Sequence, residues 1–266
     1  MPFLTAGDPS ISATASLVAA CRRGGADLCE IGIPYSDPIA DGPVIQASYQ
    51  RALDDGFKLD DAMRLGKQIH KDLTADDSGG SNASAAPFPR VTMVSYAIIY
   101  RVGVDEYLRR SIDAGYAGAI VPDLPVEEAA ELSRRCGERD FSLVQLVTPT
   151  TPRDRQLRIA ENSSGFLYYV SVTGITGERS QLPPDLADNV AWIRDQTPLP
   201  ICIGFGISGP DTAATLAPVA DGLIVGSAIV RRIAATANAD EAIDSVHRFT
   251  GELRDAIDSA TTHDDA

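Results

Sequence analysis

The amino-acid sequence predicts a single (β/α)8 barrel, the TIM-barrel architecture, and three observations lead there. Eight short β-branched runs alternate with longer amphipathic runs, the signal for βα units around a parallel sheet. The length of 266 residues, 44% of them hydrophobic, suits one barrel with an ample core. The turn after the first strand, "TAGDPS", is not the GxGxxG that a doubly wound dinucleotide-binding sheet would carry.

The elements follow in order along the chain. Residues 3–6 form the first strand, and 11–25 carry Ala, Leu and Val at helical spacing. The strand at 28–33 runs into two helical patterns, 44–53 and 59–72. Strands at 90–96, 117–122 and 142–147 are separated by helices at 105–114 and 126–137. A helix at 153–161 precedes the strand at 166–171, and one at 184–196 precedes the strand at 201–204. A helix at 210–216 leads to the last strand, 222–225, and helices at 228–237 and 239–260 close the chain. One domain therefore spans residues 1–260. The Ser-, Gly-, Asn- and Ala-rich stretch at about 73–89 reads as a flexible insertion ahead of a strand, on the face away from a barrel's active site. Residues 261–266 read as a disordered tail.

Composition excludes several function classes. A formal net charge of −14 argues against nucleic acid or an anionic membrane as partner. No apolar stretch approaches the roughly 20 residues that cross a bilayer, and Met1-Pro2-Phe3-Leu4 shows no secretory signal, so the sequence reads as cytoplasmic. Cys21, Cys29, Cys136 and Cys202 are scattered, and His70, His247 and His263 lie in helical or tail sequence; neither a metal site nor a histidine triad has the material. Lys58, Lys67 and Lys71 are the only lysines, and the strongly acidic balance reads as halophilic.

In this fold the active site forms where the strands run out into βα loops. Sorted by that rule, the unusual residues gather at one end. In "CEIGIPYSDPIADGP", Glu30 sits inside an apolar strand, facing opposite to Cys29 and Ile31; if that face is the inward one, burial should raise its pKa toward neutrality and suit it to proton donation. Asp41, in the following loop beside polar groups, should stay ionised and accept from a substrate N–H. Asp37, before Pro38, is as well explained by turn formation. Gly177, Gly206, Gly226 and Ser227 lie in glycine-rich turns after the sixth, seventh and eighth strands, and Ser227 opens a helix; together they read as a phosphate cradle without a lysine.

These residues in this order resemble the tryptophan synthase α chain family. The matching segments are "PFLTAGDP", "EIGIPYSDPIADGP", "VPDLPVEE", "TGITGERS", "GFGIS" and "GSAIV", and the likeness runs from residue 2 to about 250. The resemblance implies retro-aldol cleavage of indole-3-glycerol phosphate to indole and glyceraldehyde 3-phosphate, with no metal or organic cofactor. It places the catalytic carboxylates on Glu30 and Asp41 and the phosphate contacts on Gly177, Gly206, Gly226 and Ser227. It further implies that Phe3 and Tyr168 line the substrate pocket, that Thr176 on a mobile loop meets Asp41 when the site closes, and that a β chain is the partner in an α2β2 assembly. Two departures accompany it. The family usually carries a further segment before "PF", a helix over the barrel floor; the expectation is that this capping segment is missing here or begins upstream, leaving apolar area uncovered at the floor. The family's Asn-Pro-like stretch after the third strand, where it meets the β chain, is Ala97-Ile98 here.

Other phosphate-binding barrels, such as an indole-glycerol-phosphate synthase relative or a sugar-phosphate isomerase, typically place a lysine or histidine in the site, and no substrate-facing βα loop here holds a lysine. A purely regulatory α-like chain would not need both Glu30 and Asp41.

Overall fold

Among the residues that the computed structural model describes (1–39, 41–79, 88–171, 185–204 and 206–261), nine short strands, all paired in parallel, alternate with eleven helices. The strands are β1 (Phe3–Thr5), β2 (Cys29–Gly32), β3 (Arg90–Met93), β4 (Gly118–Ile120), β5 (Ser142–Val144), β6 (Leu146–Val147), β7 (Leu167–Val170), β8 (Ile201–Gly204) and β9 (Gly222–Ile224). The helices are α1 (Ile11–Arg23), α2 (Pro43–Asp54), α3 (Leu59–Gly79), α4 (Tyr96–Val102), α5 (Val104–Asp113), α6 (Val126–Gly137), α7 (Arg153–Glu161), α8 (Leu186–Arg194), α9 (Pro210–Leu216), α10 (Ser227–Ala234) and α11 (Ala239–Thr261).

β1 to β5 pair in sequence as one sheet and β6 to β9 as a second. Two seams join them into a barrel. β5 and β6 are halves of the strand expected at 142–147, parted at Gln145, so that one half pairs with β4 and the other with β7. At the other seam Pro2 bridges Val225 in parallel, and the Phe3 N–H donates to the Val225 carbonyl at 3.0 Å. Counting β5 and β6 together gives the eight staves that the sequence predicts.

Among the boundaries that differ from expectation, two stand out. The strand expected at 90–96 ends at Met93, because Ser95 becomes an N-cap whose Oγ accepts from the Ala97 N–H at 3.2 Å. Asp123, from the loop after β4, accepts from the Tyr96 N–H at 2.7 Å and from Ser95 Oγ at 2.6 Å, and together these caps start α4 in sequence that reads as strand. The helix expected to stop at 72 continues to Gly79, into the stretch read as an insertion; residues 80–87 lie outside the described residues, as do 262–266 of the expected tail.

Strand alternation sorts the core into two layers. Outward residues such as Ile31, Leu143, Leu167, Tyr169, Ile201 and Ile203 belong to the main cluster under the helices. Their neighbours Val144, Tyr168, Val170 and Cys202 form a separate inner cluster with Val91, Ile120, Phe166 and Ile224, which fills the barrel. Cys29 and Ile31 lie in the outer layer, so Glu30 between them faces inward.

The helix α2 lies against β1 and α10 rather than in the outer ring position that α3 takes beside α1. Pro43 opens it at the first turn, and Gly42 precedes it in extended geometry. Two side-chain contacts fasten it to the first strand and its loop. Thr5 Oγ1 and Ser48 Oγ are 2.6 Å apart, and Arg51 grips the buried Asp8 with two hydrogen bonds of 2.9 and 2.7 Å. The result is a cluster of Phe3, Ile45, Tyr49 and Val230, with Tyr35, Val44 and Met93 packed against it.

Candidate active site

The register places Phe3 opposite Glu30, and Glu30 opposite Val91, across β1, β2 and β3. Glu30 is 1% exposed, and neither carboxylate oxygen has a hydrogen-bond partner among the described residues. An ionised carboxylate in such surroundings is costly, so the group holds its proton. Burial first, and then the nearby charge of Asp41, push the Glu30 carboxyl up to about 8.

Asp41 lies in the loop between β2 and α2. The loop is held by the Asp41 N–H donating to the Pro38 carbonyl at 3.1 Å, and by Gln46 Nε2 donating to the carbonyls of Asp41 at 2.7 Å and Pro38 at 3.2 Å. The side chain is half-buried rather than solvated, and its Oδ2 has no partner among the described residues. Burial lifts the carboxyl to about 6, while a hydrogen-bonding interaction with the Tyr35 hydroxyl pulls the other way. At neutral pH the two acids therefore sit on opposite sides of the balance, Glu30 mostly protonated and Asp41 mostly ionised, the arrangement that separates acid from base roles.

Phe3 and Tyr168 flank this pair. Phe3 is buried in the cluster under α2. Tyr168 projects into the barrel from β7, and the carboxylates of Glu30 and then Asp41 help hold its hydroxyl proton well above the usual tyrosine range, after burial itself. Its ring lies over β8: a Cβ added to Gly204 would fall 2.2 Å from the Tyr168 hydroxyl, so only glycine fits there.

Across the β9–β1 seam, Gly206 follows β8 with φ +85°, a left-handed backbone that glycine adopts freely, and the space where a side chain would start is open. Gly226 precedes α10, and the Ile229 and Val230 N–H groups close back on its carbonyl at 2.9 and 3.1 Å. Among the described residues no side chain caps this helix start, which leaves the early N–H groups around Ser227 available to an anion. Gly226 lies beside Phe3, where an added Cβ would meet the Phe3 Cβ at 3.6 Å, so the glycine turn and the first strand share one rim. Thr176 and Gly177, with the expected mobile loop, lie outside the described residues.

Sequence reasoning missed Tyr35 and Tyr49. Their rings are 5.8 Å apart between centroids at a tilt of 53°, and burial, followed by the charge of Asp41, holds both hydroxyl protons well above the usual tyrosine range. The one available signal was the Tyr35 position, inside the acidic loop itself. A separate cavity of about 320 Å³, lined by Asp123, Gln145, Thr151 and Arg155, lies between the loop after β4 and α7 and contains neither acid. Among the described residues no three His, Cys, Asp or Glu side chains gather in a way that could hold a metal ion.

Comparison with known proteins bears on what this site belongs to. The profile of the family described as tryptophan synthase alpha chain matches residues 1–258. The tryptophan synthase alpha chain of Rhodopirellula baltica is 62% identical over 98% of this chain and 93% of its own length. That of a Thermoanaerobacter species is 41% identical, covering 96% and 92%. Among solved structures, the tryptophan synthase subunit alpha of Legionella pneumophila superposes with a TM-score of 0.84 at 33% identity, covering 97% of this chain and 92% of that one. A chain from the Pyrococcus furiosus tryptophan synthase α2β2 complex does so with a TM-score of 0.84 at 34% identity, covering 96% of each. With inward acid, glycine-turned rim and near full-length likeness together, the chain belongs to the tryptophan synthase α chain family.

Proposed function

We propose that this chain performs the family's lyase step in tryptophan biosynthesis through Glu30 and Asp41, cleaving indole-3-glycerol phosphate into indole and glyceraldehyde 3-phosphate. The observation that carries the assignment is Glu30: a carboxyl buried inside the barrel, without a partner among the described residues, and protonated at neutral pH beside an ionised Asp41.

The steps balance with these groups alone. Protonated Glu30 gives its proton to C3 of the indole ring, and the positive charge appears at the ring nitrogen. Asp41 stabilises that charge through the N–H, an electrostatic effect strengthened by its half-buried setting. Glu30, now a carboxylate, takes the proton from the hydroxyl on the adjoining chain carbon. The carbon–carbon bond breaks, its electrons return to the ring, and the chain leaves as the aldehyde while Glu30 regains its proton. Neither step calls for a metal or organic cofactor.

The phosphate is assigned to the backbone N–H groups of Gly206, Gly226 and Ser227, with Gly177 completing the cradle and Thr176 closing against Asp41. What supports this is the open left-handed turn at Gly206 and the uncapped start of α10. Phe3 and Tyr168 border the ring. The partner is a β chain in an α2β2 assembly, as in the Pyrococcus furiosus complex. The four cysteines are all free and buried, which fits a reducing cytoplasmic setting. The net charge of −14 fits a high-salt one. A melting temperature that rises between low and molar KCl is expected of a halophilic chain; a flat or falling one argues for an ordinary acidic protein.

The test is direct: purified chain with indole-3-glycerol phosphate, watching for indole. Glu30→Gln should abolish turnover while retaining phosphate-ligand binding. Unchanged turnover would remove Glu30 from the reaction.

A further inference from the structure

The Tyr49 hydroxyl is a buried polar group that none of these steps uses. Tyr49 is 1% exposed, and its oxygen has no hydrogen-bond partner among the described residues. It reaches from α2 over β2 at Gly32, where an added Cβ would meet the Tyr49 oxygen at 2.7 Å and the Phe3 Cζ at 2.5 Å. Gly32 and Glu30 are two residues apart on one strand, so both present the same, inward face. The titratable groups that face the hydroxyl come from three directions: Asp41 from the loop, Glu30 from β2, and Tyr35 against whose ring Tyr49 packs. A buried phenol without a partner costs stability, and phenylalanine would fill the same space without that cost. The hydroxyl therefore points to a function at the acids it overlooks.

We propose that Tyr49 donates a hydrogen bond to the hydroxyl-bearing carbon chain of the indole substrate, at the oxygen that becomes the aldehyde. This rests on the assignment of Glu30 and Asp41 above. On that assignment the ring N–H goes to Asp41 and the phosphate to the glycine turns. The chain oxygens, between ring and phosphate, are then the acceptors left for a donor placed beside both acids. Such a bond strengthens as the oxygen yields its proton to Glu30, so it favours the transition state over the bound substrate. Burial, then the charges of Asp41 and Glu30, keep the phenol firmly protonated, so Tyr49 donates without giving up its proton.

Tyr49→Phe tests this against Glu30→Gln in parallel. In Tyr49→Phe, kcat for indole release should fall about 10- to 100-fold, with KM changed by less than about threefold. The affinity for indole-3-propanol phosphate, which keeps ring and phosphate but lacks the chain hydroxyls, should not change. The melting temperature should equal or exceed that of the parent. A kcat within about twofold of the parent overturns the proposal, as does an equal loss of affinity for the hydroxyl-free analogue, or a collapse in melting temperature that makes the hydroxyl a structural support. If Glu30→Gln still turns over, the underlying assignment of the proton donor fails. If Glu30→Gln is inert and Tyr49→Phe is fully active, Tyr49 alone is excluded.

Discussion

The two halves of the candidate site, on either side of the β9–β1 seam, are built by different means. On the β1 and β2 side the groups are side chains: Phe3 and Glu30 from the strands, Tyr35 and Asp41 from the loop and Tyr49 from α2, with Phe3, Tyr35 and Tyr49 packed in one cluster. Around β8 and β9 they are backbone: Gly206 with its left-handed turn, and Gly226 with the bare start of α10. In the proposed function the first half makes its chemistry from desolvation, which sets the two acids apart. The second half, in the same proposal, offers backbone N–H groups to the phosphate, and such groups need room rather than burial. A substitution should therefore act on turnover in the first half and on substrate affinity in the second.

The largest effects should come from the acids. Glu30→Gln removes the transferable proton, and turnover should drop by at least about 10³-fold, within the range for positioned acid–base groups. Asp41→Asn keeps the shape but loses the charge, and should cost about 10²- to 10³-fold in kcat with KM little changed. Equal losses in kcat and affinity at both positions would erase the contrast between the halves. On the glycine side, Gly206→Ala forces a side chain into a positive φ, which costs about 1 kcal/mol, and should raise KM for the phosphate substrate while kcat stays within about threefold. A fall in kcat alone would place Gly206 with the chemistry instead.

Acidity sharpens the same contrast. With Asp41 at about 6 and Glu30 at about 8, kcat/KM should be bell-shaped, falling below the first as Asp41 loses its charge and above the second as Glu30 loses its proton. Both folded values exceed the usual carboxylate range, so the folded state holds protons that the unfolded chain has released. Stability should then decline as pH rises from about 4.5 toward 8, the reverse of a paired carboxylate. Glu30→Gln should flatten that decline, melting higher than the parent at pH 8 by about 10 °C and matching it near pH 4.5. The smallest shift expected is in Tyr35→Phe, which removes the hydroxyl that opposes burial at Asp41 and should move the acid limb of the profile upward from about 6.

These halves were not equally legible in the sequence. Glu30 stood out because a carboxylate inside an apolar strand has no ordinary structural role; alternation set it opposite to Cys29 and Ile31, and the outer packing of those two shows that its face is the inner one. The glycine turns stood out through position, since each follows a strand at the same end of the barrel. Tyr49 did not, because on a helix an aromatic at that spacing reads as core. Its meaning depends on α2 lying over the mouth against β1 and α10, a tertiary arrangement fastened by Thr5–Ser48 and Asp8–Arg51. The α4 helix was hidden for a similar reason: its cap comes from Asp123, 28 residues away from Ser95. Asp41 was legible as an acid but not in its degree of burial, which the loop's fold onto α2 decides.

The central claim is that Glu30 is a neutral acid inside the barrel at neutral pH, and infrared difference spectroscopy between parent and Glu30→Gln measures that state directly. The account predicts a protonated carboxyl band at pH 6.5 that is lost as pH rises through about 8. An ionised carboxylate signature for Glu30 at every pH above 5 would contradict it.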